Sequence, residues 1–322
     1  MTELTFDELE TQMMRLYDAG NYTQAYEMVQ REANHFPEHT HDTYYWLMCL
    51  ATRVNDMPQA LQYFKDALAL GDWFAPRWLR DDEDLKPLQG LPEFEQMVAV
   101  CEQKRHEAQA DARPELTVIS PEGLTEASSH PLFIALHGNG ANARVTVDPH
   151  RWVNSQGWIL GVPQSSQVAG VDAFVWDNDW NTARDEVQQH YETLLNYYPV
   201  DLERVILSGF SMGGGLAIWL AMTGAIKTRG FVVLGPYLRD VDTLVPLLGT
   251  AKAGGVRGYI IVGEHDKICL DISHKVHELL NQHGIPCELE LRPNLGHSYP
   301  PDFEKSLEKG LAFVLNHAPE TV

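Results

Sequence analysis

Leu207-Ser208-Gly209-Phe210-Ser211-Met212-Gly213-Gly214-Gly215 sets one serine among glycines, directly behind the apolar run Val205-Ile206-Leu207. The stretch fits G-x-S-x-G, and its flanks give the pattern a context. Residues 204–210 read as a buried strand and residues 212–225 as a helix, so Ser211 falls in a sharp strand-to-helix turn. A turn of that kind projects the hydroxyl at the carboxyl edge of a parallel sheet. A serine hydroxyl is a poor nucleophile until a base takes its proton, so the base has to come from elsewhere in the chain.

Outward from this turn the same grammar repeats. Residues 116–120, 132–138, 158–163, 231–237, 258–266 and 287–292 are short, apolar, β-rich runs, and the stretches 184–198 and 270–284 between them are helical. Near-continuous apolar strands alternating with helices predict an α/β domain over 111–322, a mostly parallel sheet with helices on both faces. Asp266 follows the strand 258–263 and lies 55 residues after Ser211. His297 follows the next strand, 31 residues further on. Serine, aspartate and histidine thus each stand past the carboxyl end of a different strand. Asp240 and Asp271 are the competing acids. His265 and His137 read as loop residues rather than bases.

An attacked carbonyl also needs donors as its oxygen takes up charge. The backbone N–H of Met212, at the start of the helix, is one candidate, and that of Asn139, in the loop after residues 132–136, is the other. Between residues 164 and 187, Phe174, Trp176 and Trp180 are candidates to line the substrate pocket, the alternative being that they pack the loop onto the domain.

Residues 135–140 (ALHGNG), 209–214 (GFSMGG), 262–266 (VGEHD) and 294–300 (NLGHSYP) together resemble the serine α/β-hydrolases, especially the phospholipase/carboxylesterase and dienelactone-hydrolase-like branches. The resemblance covers nearly two-thirds of the chain. It implies cleavage of carboxylic esters, or of thioesters, through an acyl-enzyme, with no cofactor and no metal. It also implies roles for three residues: Ser211 attacks, His297 serves as base and then acid, and Asp266 orients the imidazole. Carboxylesterase-like relatives often carry glutamine after the nucleophile. Met212 stands there in this chain, which keeps the amide and changes the pocket wall.

Up to residue 110 the grammar is different. Phe6, Leu9, Met13, Leu16 and Tyr17 fall on one helical face, and three more helical segments follow. Residues 20–25 align with 55–60 at an offset of 35, with Ala25 on Ala60, close to the period of a tetratricopeptide helical hairpin. An all-α, tetratricopeptide-like domain over 1–110 is expected, serving self-association or a protein partner, or roofing the site. His35, His39 and His41 read as surface histidines.

Composition narrows the partners. The net charge is −21, and both regions share it, with 9 Lys+Arg against 21 Asp+Glu in residues 1–111 and 15 against 24 in the remainder. Such a surface repels phosphate backbones and anionic lipid, which argues against nucleic acid or membrane as the main partner. Cys49, Cys101, Cys269 and Cys287 are dispersed, without metal-site or disulfide spacing. No apolar stretch suits a membrane span, and a cytoplasmic protein acting on a small-molecule ester is the expectation. Two rivals stand beside it. Gly138-x-Gly140-x-x-Ala143 matches a dinucleotide-binding fingerprint, but the following strand ends without the acid that a ribose requires. The second rival is a catalytically idle hydrolase fold that carries the helical scaffold for protein interaction.

Overall fold

The computed structural model describes residues 4–125, 128–176 and 180–315. Residues 177–179 of the aromatic loop and 316–322 of the expected α/β domain lie outside them. The chain divides into two compact units, Met1–Asp111 with Val168–Val171, and Ala112–Gln167 with Asp172–Val322.

In the first unit the helices are α1 (Phe6–Asp18), α2 (Tyr22–Glu32), α3 (Thr40–Arg53), α4 (Met57–Ala69), α5 (Pro76–Asp81) and α6 (Pro92–Asp111). Helix α1 opens on a capping box: the Thr5 hydroxyl accepts from the Glu8 amide, and the Glu8 carboxylate accepts from the Thr5 amide. Asp56 caps α4 through the amide of Gln59. Ala25 and Ala60 are both fully buried, which lets the helices of each hairpin approach closely. A polar knot ties distant helices together. The Asp84 carboxylate accepts the Tyr17 hydroxyl at 2.7 Å and pairs with Arg53, while Asp82 accepts the Tyr45 hydroxyl at 2.9 Å. Of the three histidines, His35 is a surface residue that meets Glu32 at 3.1 Å, His39 stacks on Phe6 at 3.6 Å, and His41 packs against Phe74.

The second unit begins with β1 (Glu115–Ile119), β2 (His130–Leu136), α7 (Ala143–Ser155) and β3 (Ile159–Gln164). After β4 (Gln167–Gly170), which falls to the first unit from Val168 on, and β5 (Ala173–Val175) come α8 (Asn181–Tyr197), β6 (Val200–Phe210) and α9 (Met212–Thr223). The chain then runs through β7 (Gly230–Leu234), α10 (Leu248–Ala253), β8 (Arg257–Gly263), α11 (Leu270–Gln282), β9 (Cys287–Arg292) and α12 (Phe303–Val314). Seven strands form one sheet in the order β1-β3-β2-β6-β7-β8-β9, with β1 antiparallel and the others parallel.

Strand residues alternate between two cores. Leu207, Phe231, Val233 and Ile260 face one layer with residues of α8, α9 and α11. Ile206, Val232, Leu234 and Ile261 face the other, with α7 and α12. Each such fully buried aliphatic or aromatic side chain contributes roughly 1.5–3 kcal/mol of transfer free energy. The chain leaves β2 for β3 on one side and later returns to β6 on the other, so strand order reverses between β2 and β6. In open α/β sheets the crevice beyond the carboxyl ends at such a reversal is where ligands bind. Among the described residues, no helix is long and apolar enough to cross a membrane.

Candidate active site

Ser211 stands at that reversal, the single residue between β6 and α9. Its backbone has φ 54° and ψ −121°, a conformation that costs a residue with a Cβ on the order of 1–3 kcal/mol. Neighbouring backbone holds it there. The Ser211 amide donates to Leu234 O at 3.0 Å, and its carbonyl accepts the amides of Gly215 at 3.0 Å and Tyr237 at 2.8 Å. Gly213 permits the tight approach: a Cβ there would lie 2.3 Å from the carbonyl oxygens of both Leu136 and His137. Met212 begins α9, where the first-turn amides have no partner within the helix and the macrodipole favours negative charge.

Asp266 and His297 meet. His297 Nδ1 and Asp266 Oδ2 are 2.7 Å apart, with Asp266 1% and the His297 side chain 26% exposed. Asp266 Oδ1 accepts the amides of Ile268 at 3.1 Å and Cys269 at 2.9 Å. Burial pushes the carboxyl pKa upward. The hydrogen bond and charge of His297, with those two amides, outweigh it, and the net displacement is downward. The imidazole packs on Phe210, the residue before Ser211, at 4.6 Å between ring centroids. Gly235 completes the fit. It follows the carbonyl that Ser211 bonds, has φ +47°, and a Cβ on it would stand 3.0 Å from Asp266 Oδ2 and 3.2 Å from His297 Nδ1.

The competing residues have other employment. Asp240 caps a short 3-10 helix through the amide of Asp242, and Asp271 lies exposed in the first turn of α11. His265 is an exposed loop residue whose amide bonds Leu295 O.

The loop after β2 is built from within the same unit. Gly140 N donates to Phe174 O at 2.9 Å, and Phe174 N donates to Ala141 O at 3.0 Å, so a strand residue grips the turn. Asn139 is exposed at its tip. His137 is fully buried and accepts the Ser165 amide on Nε2 at 3.2 Å; its hydrogen therefore sits on Nδ1, which donates to Gly138 O at 2.9 Å. Desolvation lowers its pKa to about 4, so the ring is a neutral strut. Trp176 closes the arrangement, donating from Nε1 to His137 O at 2.9 Å and stacking on the ring at 4.5 Å.

The three aromatic candidates differ in their surroundings. Trp176 is 1% exposed and offers no surface to a substrate; it braces the loop after β2 from behind. Trp180 is also a core residue, set edge-on to Trp219 at 5.7 Å. Phe174 is half-buried. Gly235, Ser165 and the bracing role of Trp176 were not read from the sequence, because each depends on contacts between segments far apart in the chain.

Two clusters among the described residues hold metal-type donors close together, Asp266 with Cys269 and His297, and Cys49 with Asp82 and Asp84. In both, burial raises the thiol pKa, so the sulfur is a neutral thiol. Their carboxylates already take hydrogen bonds from neighbours in the chain.

Residues 5–109 match a family model described as "A/B hydrolase-like, N-terminal domain". Across both units, the chain is similar to an uncharacterized protein from Bacillus cereus ATCC 10987, with 27% identity, TM-score 0.56, and coverage of 97% of this chain and 99% of that one. Acyl-protein thioesterase 2 of Zea mays aligns with 62% of this chain and 99% of its own, at 17% identity and TM-score 0.50. Esterase PE8 aligns with 64% of this chain at 15% identity and TM-score 0.51. Among curated proteins, the bifunctional acetylxylan esterase/xylanase XynS20E of Neocallimastix patriciarum is 29% identical over 103 residues. That match spans 31% of this chain but only 14% of the relative's length.

Proposed function

We propose that this chain, an α/β-hydrolase of the esterase type in its fold, is a serine hydrolase that cleaves carboxylic esters or thioesters of small molecules. The observation that carries the reading is the 2.7 Å bond between His297 and a buried Asp266, packed against the residue that precedes the strained Ser211. The partial match to a bifunctional acetylxylan esterase/xylanase supports ester cleavage in general. In this reading residues 1–110 form a helical domain and 111–322 the catalytic one.

Ser211 Oγ attacks the acyl carbon while His297 Nε2 takes its proton. Nδ1 keeps its hydrogen on Asp266, whose charge stabilises the imidazolium that forms. The carbonyl oxygen becomes an oxyanion facing the amides of Met212 and Asn139, one at the positive end of α9 and one in the turn braced by Phe174, His137 and Trp176. Collapse returns the proton to the leaving alcohol or thiol and leaves an acyl-serine, which water then cleaves with His297 as base again.

Steady-state hydrolysis of short-chain chromogenic esters tests this. Ser211→Ala and His297→Ala should each lower kcat/KM by about four to six orders of magnitude at unchanged far-UV circular dichroism. Ser211→Ala protein that turns over esters at the wild-type rate would refute the assignment.

A further inference from the structure

At the sheet edge opposite the Ser211 turn, where β7 and β8 begin, Arg229, Lys252 and Arg257 surround a cleft of about 270 Å³. Its floor is bare, formed by Gly255, Gly284 and Pro286, with both glycines at positive φ. Arg229 and Arg257 are neighbours across the sheet, the amide of Arg257 donating to the carbonyl of Arg229 at 3.0 Å. Most cations in this acidic chain, with 45 Asp+Glu against 24 Lys+Arg, have a carboxylate partner. Among the described residues these three have none.

Two of the three are partly accounted for. Lys252 Nζ donates to His283 O, at the end of α11, at 3.1 Å. Arg257 Nε donates to Phe313 O, in the last turn of α12, at 3.0 Å, and its guanidinium lies 4.3 Å from the Phe313 ring centroid. Both bonds complement helix dipoles and fix the side chains, yet among the described residues leave two ammonium protons and the Nη donors unused. Arg229 has no such account, since its guanidinium makes no hydrogen bond among the described residues. The acid in its field, Glu203, is held by Lys227 at 2.5 Å.

Three positive charges around one small cleft, in a chain of net charge −21, carry a mutual repulsion that a compact polyvalent anion relieves. We propose that this cleft is a phosphate-binding site, taking inorganic phosphate or the phosphate of a small monoester through Arg229, Lys252 and Arg257. The fork of Arg229 suits two phosphate oxygens, and Lys252 acts as a point charge.

Calorimetric titration of the intact protein with inorganic phosphate, and separately with phenyl phosphate, tests it at an ionic strength held constant with chloride. Saturable one-to-one binding is expected, weakened about tenfold or more in Arg229→Gln and in Lys252→Met. Tighter binding of inorganic phosphate assigns the site to the free ion, and tighter binding of phenyl phosphate to a monoester. Lys252 is exposed, so its variant keeps the test decisive if Arg229→Gln fails to fold. Heats no larger than the chloride control, binding indifferent to both substitutions, or malonate bound as tightly as phosphate would overturn the proposal.

Discussion

Ser211, Asp266 and His297 were legible as candidates because each stands just past the end of an apolar strand, and strand ends set what reaches the edge of a parallel sheet. Gly235 was not legible, since only the closeness of the Asp266–His297 pair to the place where a Cβ would stand gives it meaning. Gly235→Ala should lower kcat/KM for every ester by about tenfold or more while the protein stays folded, because a methyl group there must displace the pair. Unchanged kinetics would show that the pair yields freely. Trp176 belongs to the same scale. Trp176→Phe keeps an aromatic side chain, though a smaller one, and removes the donor to the His137 carbonyl, an unsatisfied buried acceptor costing about 1–3 kcal/mol. A kcat reduced alike across acyl-chain lengths, with KM unchanged, is expected; a shift in chain-length preference would return Trp176 to the pocket.

At the scale of elements, the strand-turn-helix of β6, Ser211 and α9 was readable because its apolar run and glycines carry local signals. Helix α7 was not singled out, since Pro149 interrupts a sequence with few apolar positions. Its start is fixed instead by Asn142, whose side chain accepts the Val145 amide at 3.1 Å and donates to Asp172 O at 2.9 Å. Strands β4 and β5, four and three residues long, are too short for periodicity to show. The element most sensitive to change is the turn into α9. Gly213→Ala would press a methyl group onto the Leu136 and His137 carbonyls, forcing β2 and α9 apart. Lost activity together with a lowered thermal midpoint is expected from calorimetry and assay on the same sample, whereas full activity would contradict the packing described.

At the scale of the whole molecule, the acidic composition argued against a class of partners but gave no view of which buried groups respond to pH. His137 and His150 do. Both are fully buried, and desolvation lowers each pKa from 6.5 to about 4. Between those values the unfolded chain binds protons that the folded chain refuses, so stability falls as pH drops from about 6.5 to 4, by up to about 3 kcal/mol for each group. The lowered pKa of Asp266 adds a loss of the same sign at still lower pH. Denaturant midpoints measured at pH 7, 5.5 and 4.5 should fall in that order, and less steeply in His150→Leu. A flat profile would mean that these rings reach solvent.

In the proposed mechanism Ser211 is an activated nucleophile. Intact mass after treatment with a small fluorophosphonate, on wild type and on Ser211→Ala, tests it most directly. One stoichiometric adduct on wild type and none on the variant is the predicted result. No adduct on well-folded wild-type protein, or an equal adduct on Ser211→Ala, would contradict the account.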